Sequence, residues 1–256
     1  MTKPMNTGAR EWDADTYDEV SDPQFSWGME VLERLQLRGD ETVVDAGCGS
    51  GRVTAELAKR LRDGRIVAVD GSQAMVEKAK ERLGEGADYL VSDLLELELP
   101  EPVDLVFSTA TLHWIADHDR LFRQLRGVLR PGGRLVAQCG GKGNVATHTE
   151  AIARVATRPE FGQHLTQMKG LWNFTSPEET EPRLRAAGFD EVRCWLQLKP
   201  VQPERPLEFI STVTLGPILD QLPEEKRQPF AEAVLAESAD PLVLDYMRLN
   251  IEAVAA

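Results

Sequence analysis

A run of small residues wedged between a β-rich stretch and a helical one constrains this chain most: Val44-Asp45-Ala46-Gly47-Cys48-Gly49-Ser50-Gly51-Arg52. Residues 41–46 (Glu-Thr-Val-Val-Asp-Ala) have the β-branched character of a strand, and Val53, Leu57, Ala58 and Leu61 recur at helical spacing over 52–61. Glycines between the two let a backbone approach a ligand closely, and the helix beyond presents unpaired N–H groups to an anion. The spacing also excludes two common users of such a turn. A dinucleotide fingerprint, GxGxxG, needs a glycine at position 52, which is Arg, and no GK[ST] follows to make a Walker phosphate loop. The pattern is D-x-G-x-G-x-G.

The alternation continues down the chain and defines an α/β protein. Strands are predicted at 65–70, 87–91, 103–108 and 134–139. Between them lie a helix capped by Ser72 (Met75, Val76, Ala79, Leu83) and one running from His118 through Leu121, Phe122, Leu125 and Leu129, stopped by Pro131-Gly132-Gly133. The second half is less regular, with helical patterns at 145–157 and 177–187 and a strand from 189 to 198. A proline-stiffened connector (Pro200, Pro203, Pro206) leads to two helical patterns within 207–238, broken at Leu222-Pro223. The tail, 246–254, alternates Met247, Leu249 and Ile251 as a final antiparallel edge strand.

Charge and cysteine usage narrow the partners. With 42 acidic against 29 basic residues, a formal charge of -13, and no Lys or Arg from Leu83 to Asp119, the chain lacks the clustered cations of a nucleic-acid surface. A small-molecule partner is expected, with no nucleic acid. Cys48, Cys139 and Cys194 are far apart and outside any CxxC or Cys/His cluster, so neither a disulfide framework nor a metal site is expected. No run approaches the ~20 apolar residues of a membrane span, and the polar, acidic start has no signal-peptide pattern. A cytoplasmic protein with no membrane attachment, monomer or homodimer, is expected.

Four motifs in order resemble those of the class I S-adenosylmethionine (SAM) dependent methyltransferases: Val43-Val-Asp-Ala-Gly-Cys-Gly-Ser-Gly51, Val67-Ala-Val-Asp-Gly-Ser72, Ser92-Asp93-Leu94, and Leu129-Arg-Pro-Gly-Gly-Arg-Leu135 before strand five. The resemblance implies a Rossmann-like, doubly wound, seven-stranded, mostly parallel sheet with an antiparallel last strand. It implies an N-terminal lid arm and helix (1–37), a SAM-binding core (38–200) with a cap insertion at about 140–176, a helical cap (201–245), and the final strand (246–256). SAM is then the cofactor. Asp45, Gly47, Gly49 and Gly51 would hold its methionine end, Asp70 the ribose hydroxyls, Gly71 and Met75 the adenine pocket, and Asp93 with the Leu94 backbone the adenine amino group. The end of strand four, Ser108-Thr109-Ala110, would lie beside the sulfonium.

The trans-aconitate methyltransferase branch is the finer resemblance. Trp12-Asp-Ala-Asp-Thr-Tyr17 and Gln24 resemble its lid arm, where aromatic faces suit a cation. Residues 112–118, Leu-His-Trp-Ile-Ala-Asp-His, resemble its loop after strand four, so that His113 and Trp114, with Trp172 from the cap, would border the substrate. A carboxylate acceptor, with a pKa near 4, is already ionised at pH 7 and needs no general base. A phenol or amine acceptor could instead use His113 or His148. An anionic substrate would draw on Lys142, Arg154, Arg158 or Lys169, and Trp172, Phe174, Phe209 and Phe230 could line an apolar pocket. Cys139-Gly-Gly-Lys-Gly-Asn144 departs from the branch, being glycine-rich where a bulkier, polar wall is expected. Two rivals remain: a NAD-dependent oxidoreductase, which lacks the third glycine and any Tyr-xxx-Lys, and a non-catalytic SAM-binding protein, which would have lost the substrate pocket.

Overall fold

The structure is a computed structural model. It describes residues 14–168 and 170–256, and for 15, 17 and 20 the backbone alone. In chain order the elements are α1 (Ala14–Val20), α2 (Asp22–Arg34), β1 (Thr42–Ala46), α3 (Arg52–Ala58), β2 (Arg65–Asp70), α4 (Gln73–Leu83), β3 (Asp88–Val91), β4 (Val103–Thr109) and α5 (His118–Gly127). There follow β5 (Leu129–Gly140), α6 (Ala146–Ala156), α7 (Pro159–Gly162), α8 (Pro177–Ala186), β6 (Phe189–Val201), α9 (Pro206–Phe209), α10 (Gly216–Leu219), α11 (Glu224–Ala236) and β7 (Leu244–Ala255).

The strands form one seven-stranded sheet in the order β3-β2-β1-β4-β5-β7-β6. β1 to β5 are mutually parallel and β7 runs antiparallel to both β5 and β6. Because side chains alternate along a strand, the two faces carry different cores. Val44, Val106 and Leu135 pack with Leu121, Phe122 and Leu125 of α5 and Leu184 of α8. Val43, Leu105, Phe107 and Val136 pack with Val31 and Leu32 of α2 and Leu57 of α3. A third core joins α6, α9, α10 and α11 to Trp27 and to Leu244 and Tyr246 of β7.

The tail departs from expectation in one respect: β7 is inside the sheet, between β5 and β6, and β6 is the edge. Burial explains the order. Arg248, Leu249, Asn250 and Ile251 are all buried, which an edge position does not supply. β6 carries Asp190, Glu191, Arg193 and Lys199, charges that suit an edge and discourage further strand pairing. Two other bounds shift. α5 ends at Gly127, and β5 starts at Leu129 and carries the Pro131-Gly132-Gly133 segment within it, at a register irregularity against β4. The first helical pattern after Pro206 is broken into α9, a π turn at Ile210–Thr214, and α10. Parallel pairing brings the C-terminal ends of β1 to β5 to one side of the sheet, where the connecting loops and cap helices meet; in open α/β sheets this is the edge at which ligands bind.

Candidate active site

A cavity of about 990 Å³ opens at that edge, lined by the turns after β1 to β4 on one side and by α6, the π turn and β7 on the other. Its first wall is built from the glycine turn and two carboxylates. Gly47 donates its N–H to Val69 O (2.8 Å) with φ +86°, and a Cβ there would lie 2.0 Å from Thr111 Oγ1. Thr111 is held in turn by Thr109 O at 3.0 Å and Gly47 O at 3.3 Å, so the turns after β1 and β4 touch at a point that admits only glycine. Asp70 ends β2 with Oδ2 accepting the Gly49 N–H and Oδ1 accepting the Ser72 N–H, both at 2.9 Å. Two backbone donors thus fix this carboxylate against the cavity. Ser72 also caps α4, accepting the Met75 N–H at 3.3 Å. Asp93 caps the short 3₁₀ turn Leu94–Glu96 through the Leu95 N–H (2.9 Å). Gly71, Met75, Asp93 and Leu94 all line the cavity.

Three residues of the expected set stand behind the lining. Asp45 is buried below the glycine turn, accepts the Thr54 hydroxyl at 2.7 Å, and has its pKa pushed up to about 7 by burial, the Thr54 bond opposing and the Asp70 charge adding. It ties β1 to α3. Ser108 is fully buried and donates to Ala46 O (2.7 Å), tying β4 to β1. Gly51 is the N-cap of α3, packed on Ala79 of α4. All three support the turn without lining the cavity.

The N-terminal arm reaches the same turn. Trp12 lies outside the described residues, and Tyr17 belongs to α1, its side chain outside them too. Asp18 accepts from Ser50 Oγ and from Arg82 Nη2 (2.5 Å). Arg52, occupying the position where a dinucleotide site needs glycine, donates to Asp18 O (2.9 Å) and Asp22 Oδ1 (2.7 Å) and stacks over the Phe25 ring. Gln24 lines the cavity with a buried Oε1 that has no hydrogen-bond partner.

The second half of the cavity begins at the turn after β4. His113 Nδ1 accepts the Gly140 N–H (3.3 Å), which leaves the ring proton on Nε2. Burial, with the Arg248 charge adding, holds its pKa well below 6.5. His148 Nε2 meets Thr214 Oγ1 at 2.9 Å, and the Thr214 hydroxyl proton is committed to Ile210 O (3.0 Å), so the imidazole donates. Burial pushes its pKa down to about 4, against the nearby Asp245 charge. Both rings are therefore neutral at pH 7. Phe174 stacks between His113 (5.7 Å between centroids) and Trp172 (6.0 Å, nearly parallel), and Trp172 leans on Trp114 at 6.5 Å.

Arg248 of β7 completes this half. It is 2% exposed, sits over the Trp27 ring at 4.7 Å, and lines the cavity. Sequence reasoning missed it by seeking cations in the cap. Of the cations expected there, Lys142 is exposed, Arg154 and Arg158 pair with Glu237 at 3.2 and 2.6 Å, and Lys169 lies outside the described residues. Phe209 and Phe230 belong to the cap's own core. An arginine within the apolar alternation of the tail was the available signal. Among the described residues no cluster of His, Cys, Asp or Glu is arranged to hold a metal, and no helix is long and apolar enough to cross a membrane.

The donor set of the first wall fits a nucleoside bearing an amino-acid tail. It offers a fixed carboxylate at the end of β2, a second acid and a short 3₁₀ turn past β3, a glycine turn past β1, and an unpartnered amide oxygen on α2. This sheet order and this wall define a class I SAM-dependent methyltransferase. A methyltransferase-domain family model matches residues 44–137. Trans-aconitate 2-methyltransferase of Deinococcus radiodurans is 32% identical over 71% of this chain and 67% of its own length. That of Methylobacterium nodulans is 29% identical over 90% of this chain and 91% of its own. The fold is also that of YcgJ from Bacillus subtilis (TM-score 0.63, 16% identity, 90% of this chain and 97% of that one). It is shared by a Haemonchus contortus phosphoethanolamine N-methyltransferase 2 solved with SAM (TM-score 0.62, 20% identity, 94% of this chain and 56% of that one). The chain belongs to the SAM-dependent methyltransferase family, in the branch of the trans-aconitate 2-methyltransferases.

Proposed function

We propose that the enzyme O-methylates a carboxylate of a small-molecule acceptor. The observation that carries this is Arg248, a buried guanidinium lining the half of the cavity away from the glycine turn. Arginine presents paired donors that match a carboxylate. The histidines support the same conclusion. His113 offers an Nε2–H donor, and His148, with a pKa near 4, is a poor acceptor of a phenol or ammonium proton at pH 7. A carboxylate needs neither service. The names of the relatives point the same way, and the net charge of -13 suits a free small molecule better than a nucleic acid.

When bound, SAM would supply a methyl group activated by a positively charged sulfur, for transfer to the acceptor oxygen. The chain's own work is positioning. Asp70 would accept the ribose hydroxyls. Asp93 and the Leu94 backbone would take the adenine amino group, with Gly71 and Met75 against the ring. The Gly47 and Gly49 backbone and the Gln24 Oε1 would hold the methionine end. Asp45, Gly51 and Ser108 act as positioning residues through the turn they brace. Arg248 and the His113 Nε2–H orient the carboxylate, and the aromatic wall excludes water from the reacting atoms. Asp18, held by Ser50 and Arg82, ties α1 to the glycine turn.

The test is product chemistry. Enzyme given methyl-tritiated SAM and small acids should yield a methyl ester that releases volatile methanol in mild alkali. A product stable to alkali, an aryl ether or N-methyl amine, formed while acids are refused, would overturn the proposal.

A further inference from the structure

The half of the cavity that contains Arg248 offers, among the described residues, one cationic side chain and a large apolar surface. Among the described residues, Arg248 is the one lysine or arginine that lines the cavity, whereas Asp70, Asp93 and Asp220 line it with the opposite sign. The histidines add no positive charge, since burial keeps both neutral. A buried carboxylate without a cationic partner is strongly disfavoured. The apolar surface of this half comes from Ile152 of α6, Val213 and Pro217 around the π turn, Leu171, and the stacked Trp172 and Phe174, interrupted by the polar side chains of Asn144, Thr149, Thr214 and Tyr246.

The glycine-rich segment after β5 explains how that wall arises. A Cβ on Gly140 would come within 2.6 Å of Phe174 Cε1 and 3.0 Å of Asn144 Nδ2, so the missing side chain is the space into which Phe174 packs. Gly140 also gives its N–H to His113, locking the ring that Phe174 stacks on. Where a polar wall would serve a polycarboxylate, this chain has an aromatic shelf.

We infer that the acceptor is an amphipathic monocarboxylic acid, its carboxylate on Arg248 and its alkyl or aryl body along the Trp172–Phe174 shelf, and not a tricarboxylate such as trans-aconitate. This rests on the proposed carboxylate methylation and narrows it.

The experiment compares octanoate, 3-phenylpropanoate and trans-aconitate as acceptors at fixed SAM, reading alkali-labile methyl ester and kcat/KM. The inference expects at least one monocarboxylate to exceed trans-aconitate by tenfold or more. Phe174→Ala should raise KM for that acid at least fivefold and leave SAM affinity, measured by titration, within twofold. Arg248→Gln should lower kcat/KM at least tenfold, with Arg248→Lys recovering part of it. Ester formation on trans-aconitate equal to or above both monocarboxylates overturns the inference and leaves carboxylate methylation standing. Refusal of all three acids by enzyme that binds SAM overturns the inference, and alkali-stable methylation of phenols or amines by that enzyme would remove carboxylate methylation as well.

Discussion

Gly47→Ala tests the geometry on which the proposed cofactor wall depends. The residue has φ +86°, a conformation that costs an L-amino acid roughly 1–2 kcal/mol. The added Cβ would stand 2.0 Å from Thr111 Oγ1, 2.3 Å from its Cγ2 and 2.5 Å from its Cβ. Thr111 cannot swing away cheaply, because its hydroxyl is held by Thr109 O and Gly47 O and its Cβ is branched. Overpacking of this kind costs about 1–3 kcal/mol, which brings the expected loss to about 2–5 kcal/mol. The assay is urea denaturation of a double-mutant cycle with Thr111→Gly. In that background the collision is gone and only the backbone strain remains, so the coupling energy should be about 1–3 kcal/mol in favour of the double variant. A Gly47→Ala cost that is the same in both backgrounds, or one below about 0.5 kcal/mol, a typical neutral surface value, would refute the contact between these turns.

Burial raises the Asp45 pKa from 3.8 to about 7, so the folded state holds a proton that the unfolded chain has lost. This contribution to stability is complete below pH 4 and lost as pH rises through 7, at most about 4 kcal/mol at 1.36 kcal/mol per unit. Asp45→Asn, which keeps an acceptor for Thr54, should therefore gain stability relative to wild type steadily between pH 4 and 7 and hold level above, by denaturation at several pH values. His148, at about 4, works in the opposite sense. Its contribution is present above 6.5 and lost as pH falls to 4, and His148→Gln should flatten that limb of the wild-type profile. Arg82→Ala removes the partly buried partner of Asp18 and Ser50, a contribution of about 1 kcal/mol. Limited proteolysis should then cut the arm several-fold faster, with SAM affinity about fivefold weaker.

The parallel half of the fold was legible because each strand, turn and cap there answers to a local rule. β-branched runs at 42–46 and 65–70, glycines at the turn, and Ser72 before an amphipathic helix leave few alternatives. The place of β7 was not legible, since alternation along 246–254 tells which residues share a face and not which strands lie beside them. Arg248 went unnoticed for the same reason. Its position in the cavity follows from β7 inserting against β5, where it pairs with Gly140. Asp45 and Ser108 illustrate a different limit. A motif marks residues that gather at a turn, but the strand's alternation decides that Asp70 meets the cavity while Asp45 turns under it toward Thr54. In the cap, Pro206 and Pro217 and the π turn between them interrupt a helical period that the sequence reads as continuous.

Calorimetric titration of SAM and S-adenosylhomocysteine into wild type and Asp70→Asn, with NAD as control, bears most directly on the central claim that the Asp70 wall is the cofactor site. Asn retains the shape but loses the charge that receives the Gly49 and Ser72 N–H groups. Wild type should bind both sulfur nucleosides and not NAD, and Asp70→Asn should weaken them at least tenfold, about 1.4 kcal/mol. SAM affinity unchanged in Asp70→Asn, or binding of NAD in place of SAM, would contradict that claim.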